Sequence, residues 1–331
     1  MADGPNFDGK KVLVTGAGGF VGSHLAEALV ECGAETRALF HYNSMGRCGW
    51  LDFSDTKSEL QIIHGDICDP DCMLKAADGV DIVFHLAALI GIPYSYHAPI
   101  SYIRTNIEGT LNVMQAALSA GVGRLIHTST SETYGTAEYI PIDEKHPLKG
   151  QSPYSASKIG ADKLAESFYR SFGLNVVTVR PFNTYGPRQS ARAIIPTIIT
   201  QCRNGKIVKL GNLEPTRDFT FVDDTVSGFL CAAKADHAVG EVINLGSGKE
   251  ISIKELAELI SSIMCKKVEI ISEGERTRPD KSEVDRLCAS NDKAKKILSW
   301  EPCTSFEDGL KKTIKWFESN ISLYDPGKYM V

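Results

Sequence analysis

No run of apolar residues in this chain is long enough to span a bilayer. The most apolar stretch, 80–93, is interrupted by Asp81 and His85 and falls short of the ~20 residues a membrane-crossing helix requires. The opening residues carry Asp3 and Asp8 and no apolar core, so no secretory signal is expected and a cytoplasmic location is. Nine cysteines are present without a Cys-x-x-Cys pair; Cys68 and Cys72 come closest, separated by Asp69, Pro70 and Asp71. That excludes the usual zinc spacing, and no metal is expected. An odd, scattered set reads as reduced thiols rather than a disulfide framework. The formal charge is only −5, with both signs interspersed, which argues against a nucleic-acid or membrane-surface partner. There is no internal repeat and no low-complexity segment. The chain is 331 residues long and 43% hydrophobic, enough to bury a sizeable core in one large domain or two closely joined ones.

The first ordered pattern is a phosphate site. Lys11 to Thr15 is a short apolar strand, followed by Gly16-Ala17-Gly18-Gly19-Phe20-Val21-Gly22 and then the helical spacing of Leu25, Ala28 and Leu29. Strand, glycine turn and helix in this order present backbone N–H groups to a pyrophosphate. Gly16 permits the tight turn, Gly19 the approach of the phosphates, and Gly22 the close packing of helix on strand. Further strands are expected at 35–40, 61–67, 81–87, 124–128 and 175–180, with helical stretches between most of them. The alternation predicts an α/β fold, a doubly wound Rossmann-type parallel sheet. After Arg180 the texture changes to short segments punctuated by Pro181, Pro187, Pro196, Gly205, Gly211 and Pro215, with helices near 223–234, 252–265 and 305–318. This predicts a smaller α/β C-terminal domain that binds substrate. The dinucleotide-binding part is expected over 1–182 with a return near 219–235, and the discontinuous substrate-binding part over 183–331.

The chemistry is carried by Tyr154 and Lys158. Positions i and i+4 share one face of a helix, so the Lys158 ammonium is expected beside the Tyr154 phenol, lowering its pKa from the ordinary value of about 10. A base of that kind can remove a sugar hydroxyl proton while hydride leaves for a nicotinamide. Just upstream stand Thr130, Ser131 and Glu132. The second strand ends Leu39-Phe40-His41-Tyr42-Asn43-Ser44, with neither the acid that receives an NAD ribose nor a clear arginine for NADP. Arg47 is near enough to reach a 2′-phosphate, but no compact cationic pair is present. NAD is therefore favoured, with NADP open. Asp66, after the third strand, is placed to accept from an adenine amino group.

Together the glycine loop, His85-Leu86-Ala87-Ala88, Asn106, the Thr-Ser-Glu run, Tyr-x-x-x-Lys, Arg180-Pro181-Phe182-Asn183-Thr184-Tyr185-Gly186-Pro187-Arg188 and Arg217-Asp218-Phe219 resemble the extended short-chain dehydrogenase/reductase family that acts on nucleotide sugars. The resemblance covers essentially the whole chain. It implies that Thr130 and Tyr154 bind the sugar 4-hydroxyl, that Lys158 holds the nicotinamide ribose, and that Asn183, Arg188, Arg217 and Arg278 bind the substrate, the arginines suiting its diphosphate. The implied cofactor contacts are Gly16, Gly19, Phe20, Val21, Gly22, Asn43, Ser44, Asp66, Ile67, Ala87, Ala88, Asn106, Tyr154 and Lys158. A Glu two residues after Thr130 resembles the 4,6-dehydratases and the glucuronate decarboxylases, and Ser131 between them resembles the GDP-mannose dehydratase pattern. The runs 150–163 and 188–192 are similar to GDP-N-acetylglucosamine 4,6-dehydratases of legionaminic-acid biosynthesis. The resemblance thus implies a nucleotide-sugar 4,6-dehydratase, a lyase that recycles its nicotinamide. The alternatives are a UDP-glucuronate decarboxylase, a 4-epimerase, or a non-catalytic dinucleotide-binding protein. The helices beginning near Pro99 and at Tyr154 carry apolar residues at helical spacing, and their outer faces are expected to pair two copies as a homodimer through a four-helix bundle.

Overall fold

The computed structural model describes residues 6–276 and 279–324. The strands, in chain order, are β1 (Lys11–Thr15), β2 (Glu35–His41), β3 (Gln61–Gly65), β4 (Ile82–His85), β5 (Arg124–Thr128), β6 (Val176–Pro181), β7 (Asn183–Tyr185), β8 (Ile207–Leu210), β9 (Thr216–Phe221), β10 (Val242–Leu245), β11 (Glu250–Ser252) and β12 (Glu269–Ser272). The helices are α1 (Phe20–Glu31), α2 (Pro70–Ala77), α3 (Ile92–His97), α4 (Pro99–Tyr102), α5 (Gly109–Ser119), α6 (Pro153–Phe172), α7 (Ile194–Asn204), α8 (Val222–Lys234), α9 (Ile253–Ile263), α10 (Asp292–Leu298) and α11 (Phe306–Asn320).

Seven parallel strands form the main sheet in the order β10-β6-β5-β4-β1-β2-β3. The expected doubly wound Rossmann sheet is therefore present, with a smaller α/β part built on β7–β9–β11 and β8–β12. Strands β4 and β6 are buried along nearly their whole length, as strands covered by helices on both faces must be. The order reverses between β1 and β4. The crevice beyond their carboxyl ends is the topological switch point at which open α/β sheets bind ligands.

Two features were not anticipated. Strand β10 joins the main sheet beside β6, so the chain returns to the first layer at 242–245 as well as through α8, which packs against α1. The helix expected from Pro99 is interrupted: residues Ile103–Glu108 form a π-helical turn between α4 and α5. The wide turn carries Asn106, fully buried, whose side chain accepts from Leu89 N (2.8 Å) and donates to Leu89 O and Ser157 Oγ (2.9 Å each). A π-turn re-aims one side chain without ending the helix.

Helix α6 begins where its sequence says it should. Ser152 and Ser155 form a reciprocal capping box, Pro153 opens the helix, and Gly173 closes it in the left-handed conformation (φ 69°). Its start places Tyr154 in the first turn and Lys158 one turn on. Helix α1 is held tightly against the glycine loop: a Cβ at Gly22 would run into the carbonyl oxygen of Gly16. Helix propensity favours Ala over Gly by ~1 kcal/mol, but the obstructing atom is backbone and cannot step aside. Gly22→Ala is therefore expected to destabilise the fold by about 1–3 kcal/mol, read as a lower urea midpoint with an unchanged slope; an unaltered or raised midpoint would show that the loop has room.

Candidate active site

The carboxyl ends of β1, β4 and β5 and the first two turns of α6 converge on one crevice. Gly16 is left-handed (φ 72°), and a Cβ there would come within 2.8 Å of Ala87 N. The β1 and β4 loops thus touch through backbone. Ala87 N donates to Thr15 Oγ1 (3.1 Å), which also meets His85 Nδ1 (2.9 Å). Gly19 caps α1 with no side-chain hydrogen bond, and the first turn, Phe20, Val21 and Gly22, has no acidic residue. This leaves a helix N-terminus suited to phosphate. Asp66 Oδ1 accepts from Cys68 N (2.8 Å), with Oδ2 3.4 Å from His41 Nε2; Ile67 is buried beside it. Asn43 folds back on its own loop, accepting from Arg47 N (2.9 Å) and donating to Arg47 O (2.8 Å), while Ser44 and Arg47 are exposed. Ala87 and Ala88 are half-buried. These residues fit a dinucleotide: the cradle is lined by backbone that a Cβ would fill. Thr128 Oγ1, beside Lys158, is buried without a hydrogen-bond partner among the described residues.

The catalytic candidates lie at one end of this crevice. Thr130 caps a single 3₁₀ turn, Ser131–Thr133, its hydroxyl accepting from Glu132 N (3.3 Å). Tyr154 is buried and near enough to Thr130 and Glu132 for both to act on its phenol. Ser131 is buried in the same turn. Tyr102 sets its ring edge against Tyr154 (centroids 6.2 Å apart) and donates its hydroxyl to Gly91 O.

The expected lowering of the Tyr154 pKa is not what the structure shows. Burial pushes the phenol well above its ordinary value; Thr130 opposes that by hydrogen bonding, and the charge of Glu132 adds to it. The Lys158 ammonium is turned to the end of β5, donating to Thr128 O at 2.6 Å. Burial brings Lys158 itself down to about 8, with the charge of Asp162 opposing the fall.

Asp162 was not singled out by the sequence. It sits a further turn along α6, fully enclosed, and receives Ser129 Oγ (2.7 Å), His127 Nε2 (3.1 Å) and Arg180 (Nη2 2.7 Å, Nε 3.3 Å). Arg180 also donates to Tyr134 OH (3.0 Å), which donates to Asn244 Oδ1 (2.8 Å). The signal that could have found it was the repeat of the same four-residue step beyond Lys158.

The proposed substrate residues are dispersed. Asn183 on β7 and Arg217 on β9 lie on neighbouring strands of the smaller sheet, Asn183 Nδ2 donating to Asp218 O (3.3 Å). Arg217 is buried, bonded to Thr216 O (2.9 Å) and 3.3 Å from Glu283. Both terminal guanidinium nitrogens of Arg188, expected at the substrate, pair with Glu27 of α1 (2.8 and 2.9 Å), which joins it to the first helix. Arg278 lies outside the described residues.

A glycine-loop crevice with a Thr-x-Glu turn and a Tyr-x-x-x-Lys helix on a doubly wound sheet defines a short-chain dehydrogenase/reductase-type site. The sequence profile of the family described as GDP-mannose 4,6 dehydratase matches residues 13–313, and the chain belongs to that family of nucleotide-sugar dehydratases and epimerases. The dTDP-D-glucose 4,6-dehydratase of Bos taurus is 33% identical, over 96% of this chain and 91% of that protein. The UDP-glucose 4-epimerase of Mycolicibacterium smegmatis is 32% identical, over 93% and 99%. Among solved structures, DesIV, a dTDP-glucose 4,6-dehydratase from Streptomyces venezuelae with NAD bound, superposes with a TM-score of 0.86 at 30% identity, covering 96% of this chain and 100% of that one.

The two arginines make opposite predictions. Arg217→Ala should weaken binding of a nucleoside diphosphate by roughly 10- to 150-fold, the equivalent of about 1.5–3 kcal/mol for a charge-assisted contact. Arg188→Ala should leave that binding within about threefold, under 1 kcal/mol, and lower the melting temperature by stranding Glu27. Titration calorimetry with GDP and UDP, alongside thermal melts, separates the two; equal losses of affinity would put Arg188 at the diphosphate.

Proposed function

We propose that this protein is an NAD-dependent nucleotide-sugar 4,6-dehydratase acting on GDP-N-acetylglucosamine. The coarser statement, a nucleotide-sugar interconverting enzyme that uses NAD, has the wider support: family membership, a cradle that fits the dinucleotide, and a relative solved with NAD. Glu132 carries the step from there to dehydration. A 4-epimerase needs a base and a hydroxyl at carbon 4, which Tyr154 and Thr130 supply; it has no use for a carboxylate beside them. The Glu132 charge opposes ionisation of Tyr154, which supports a carboxylate acting beside the phenol. The sugar and base rest on the resemblance of 150–163 and 188–192. The named relatives, a mixture of dTDP-sugar dehydratases and UDP-sugar epimerases, back the 4-epimerase alternative better than they back a guanosine-specific dehydratase.

In this reading Thr130 and Tyr154 bind the 4-hydroxyl, and Tyr154 accepts its proton. The Gly16–Gly22 loop would hold NAD, which would supply the hydride chemistry between carbon 4 and carbon 6. The ketone at carbon 4 acidifies the carbon 5 hydrogen, and Glu132 removes it as general base. The same carboxyl, now protonated, donates to the departing 6-hydroxyl, so one water leaves and Glu132 is restored; hydride return to carbon 6 leaves carbon 5 to take up a solvent-exchanged proton, and release of the proton held by Tyr154 closes the balance. Lys158, at the end of β5, holds the nicotinamide ribose. We further propose that the exposed Ile100 and Ile103 of the α4 region and Phe172 of α6 belong to the four-helix interface of a homodimer.

The deciding measurement is the mass of candidate nucleotide sugars after incubation: loss of one water supports dehydration, unchanged mass with inverted carbon 4 supports epimerisation, and loss of carbon dioxide a decarboxylase. Glu132→Gln keeps the shape but removes the base, and should slow water loss by roughly 100- to 10,000-fold while a 4-ketone still bearing its 6-hydroxyl accumulates, trapped by borodeuteride. In heavy water the wild-type product should carry deuterium at carbon 5. Tyr154→Phe should abolish even the ketone. Undiminished water loss in the Gln variant, or protium kept at carbon 5, would remove Glu132 from the role of base.

A further inference from the structure

Tyr154, Lys158 and Asp162 stand at successive four-residue steps on one face of α6, and only the first two belong to the chemistry described above. Asp162 is as enclosed as either, yet it touches nothing that reacts. Its four hydrogen bonds all go to the strands beneath the site: Ser129 and His127 from the end of β5, and Arg180, twice, from β6. Two of these partners flank Thr128, whose carbonyl receives the Lys158 ammonium at 2.6 Å, and Ser129 is followed directly by Thr130 of the catalytic turn. We propose that Asp162 is a positioning residue, which pins the end of β5 to α6 so that Thr128 O meets Lys158 and Thr130 meets Tyr154, and which supplies the anion that keeps Lys158 charged.

The charges around Lys158 support the second half of that statement. From β4 it faces His85 and from β5 His127; burial lowers both imidazoles below their ordinary value, which disfavours a second cation beside Lys158. From its own helix it faces Asp162, held ionised far below the usual carboxylate range by His127, Arg180 and Ser129. Behind Asp162, Arg180 of β6 is a second cation. Asp162 is the one charge acting to raise Lys158, which stands at about 8 against the pull of burial. The sign follows. Lys158 loses its proton as the pH rises through about 8. Removing the Asp162 charge leaves Arg180 uncompensated, lowers that value, and strips the proton at a lower pH.

This rests on the proposed reading of Lys158 as the group that holds the nicotinamide ribose, a role taken here to need its charged form, and the test separates the two. The full-length protein, with lysines labelled at Cε, is titrated by carbon NMR, with the Lys158 resonance assigned from Lys158→Met. The Lys158 midpoint should lie near 8 in the parent and fall by about half a unit or more in Asp162→Asn, as loss of a nearby opposite charge requires. The alkaline limb of kcat should move down with it. Ser129→Ala removes one bond to Asp162 but no charge, and should leave the midpoint in place. Asp162→Glu keeps the charge and displaces it, a variant that tests the positioning role even if Asp162→Asn does not fold. It should keep the limb in place and lower kcat on the order of 10- to 100-fold, the cost of a misplaced catalytic group. An unmoved NMR midpoint in Asp162→Asn, or an unchanged kcat in Asp162→Glu, overturns the proposal. A midpoint that moves while the kcat limb stays would uphold the charge assignment and refute the role given to Lys158 in the reaction.

Discussion

The buried contact between Asp162 and Arg180 is the constraint on which the rest of the site depends. The pair joins α6 to β6, and through Ser129 and His127 the same carboxylate joins α6 to β5. A buried ion pair is weak evidence for stability, because desolvation offsets most of the attraction. What such a pair does supply is geometry: breaking it by removing one partner costs about 3–5 kcal/mol, so alternatives in which α6 slides along the sheet are strongly disfavoured. The network does not stop at the pair. It continues through Tyr134 to Asn244 of β10, and Asn244 Nδ2 donates to Ile142 O (3.1 Å), which brings the edge strand of the sheet and the loop after the catalytic turn into the same frame.

A second constraint acts at the opposite end of the crevice, and it is steric. The β1 and β4 loops approach through Gly16 and Ala87, and α1 approaches β1 through Gly22. The π-turn carrying Asn106 then clamps the chain two residues beyond that contact, by two hydrogen bonds to Leu89. Gly160 of α6 packs against the same turn, a Cβ there coming within 2.8 Å of Ile107. Cofactor cradle and catalytic helix are thus fixed to one another through a single irregular turn, which explains why a π-helical segment persists where a regular helix would have served packing alone.

Much of this was legible in the residues, for identifiable reasons. Strands β1 and β5 appear at the expected limits because short apolar runs bounded by Gly or Ser have few alternatives. Helix α6 was legible from Tyr154 to Phe172, its cap at Ser152 being local chemistry. Strand β10 was not, since Val242–Leu245 is only four residues and gains its identity from pairing with β6. The π-turn was not, because the spacing of Ile103, Ile107 and Leu111 is as helical in sequence as that of its neighbours. The partner of Arg188 is Glu27, 161 residues away, and no local pattern encodes such a pairing. The Tyr-Lys spacing was read correctly as a shared face, yet a shared face does not fix where a four-carbon side chain ends: Lys158 found a backbone carbonyl on β5 in preference to the phenol.

The raised pKa of Tyr154 bears on the order of the proposed steps. Burial and the Glu132 charge both work against a phenolate, and Thr130 works for it. Each unit of such a shift is 1.36 kcal/mol of preference for the protonated phenol, so Tyr154 is reluctant to lose its proton and correspondingly avid in regaining one. When it takes the proton of the 4-hydroxyl it becomes neutral, and the repulsion between phenolate and carboxylate disappears. Glu132 is then the remaining anion of the pocket, next to a sugar that has just become a ketone with an acidic carbon 5 hydrogen. On the proposed reading phenolate and carboxylate oppose one another only until the first proton transfer, which removes the charge that opposes the second group. One electrostatic relation, between Tyr154 and Glu132, thereby places oxidation before elimination.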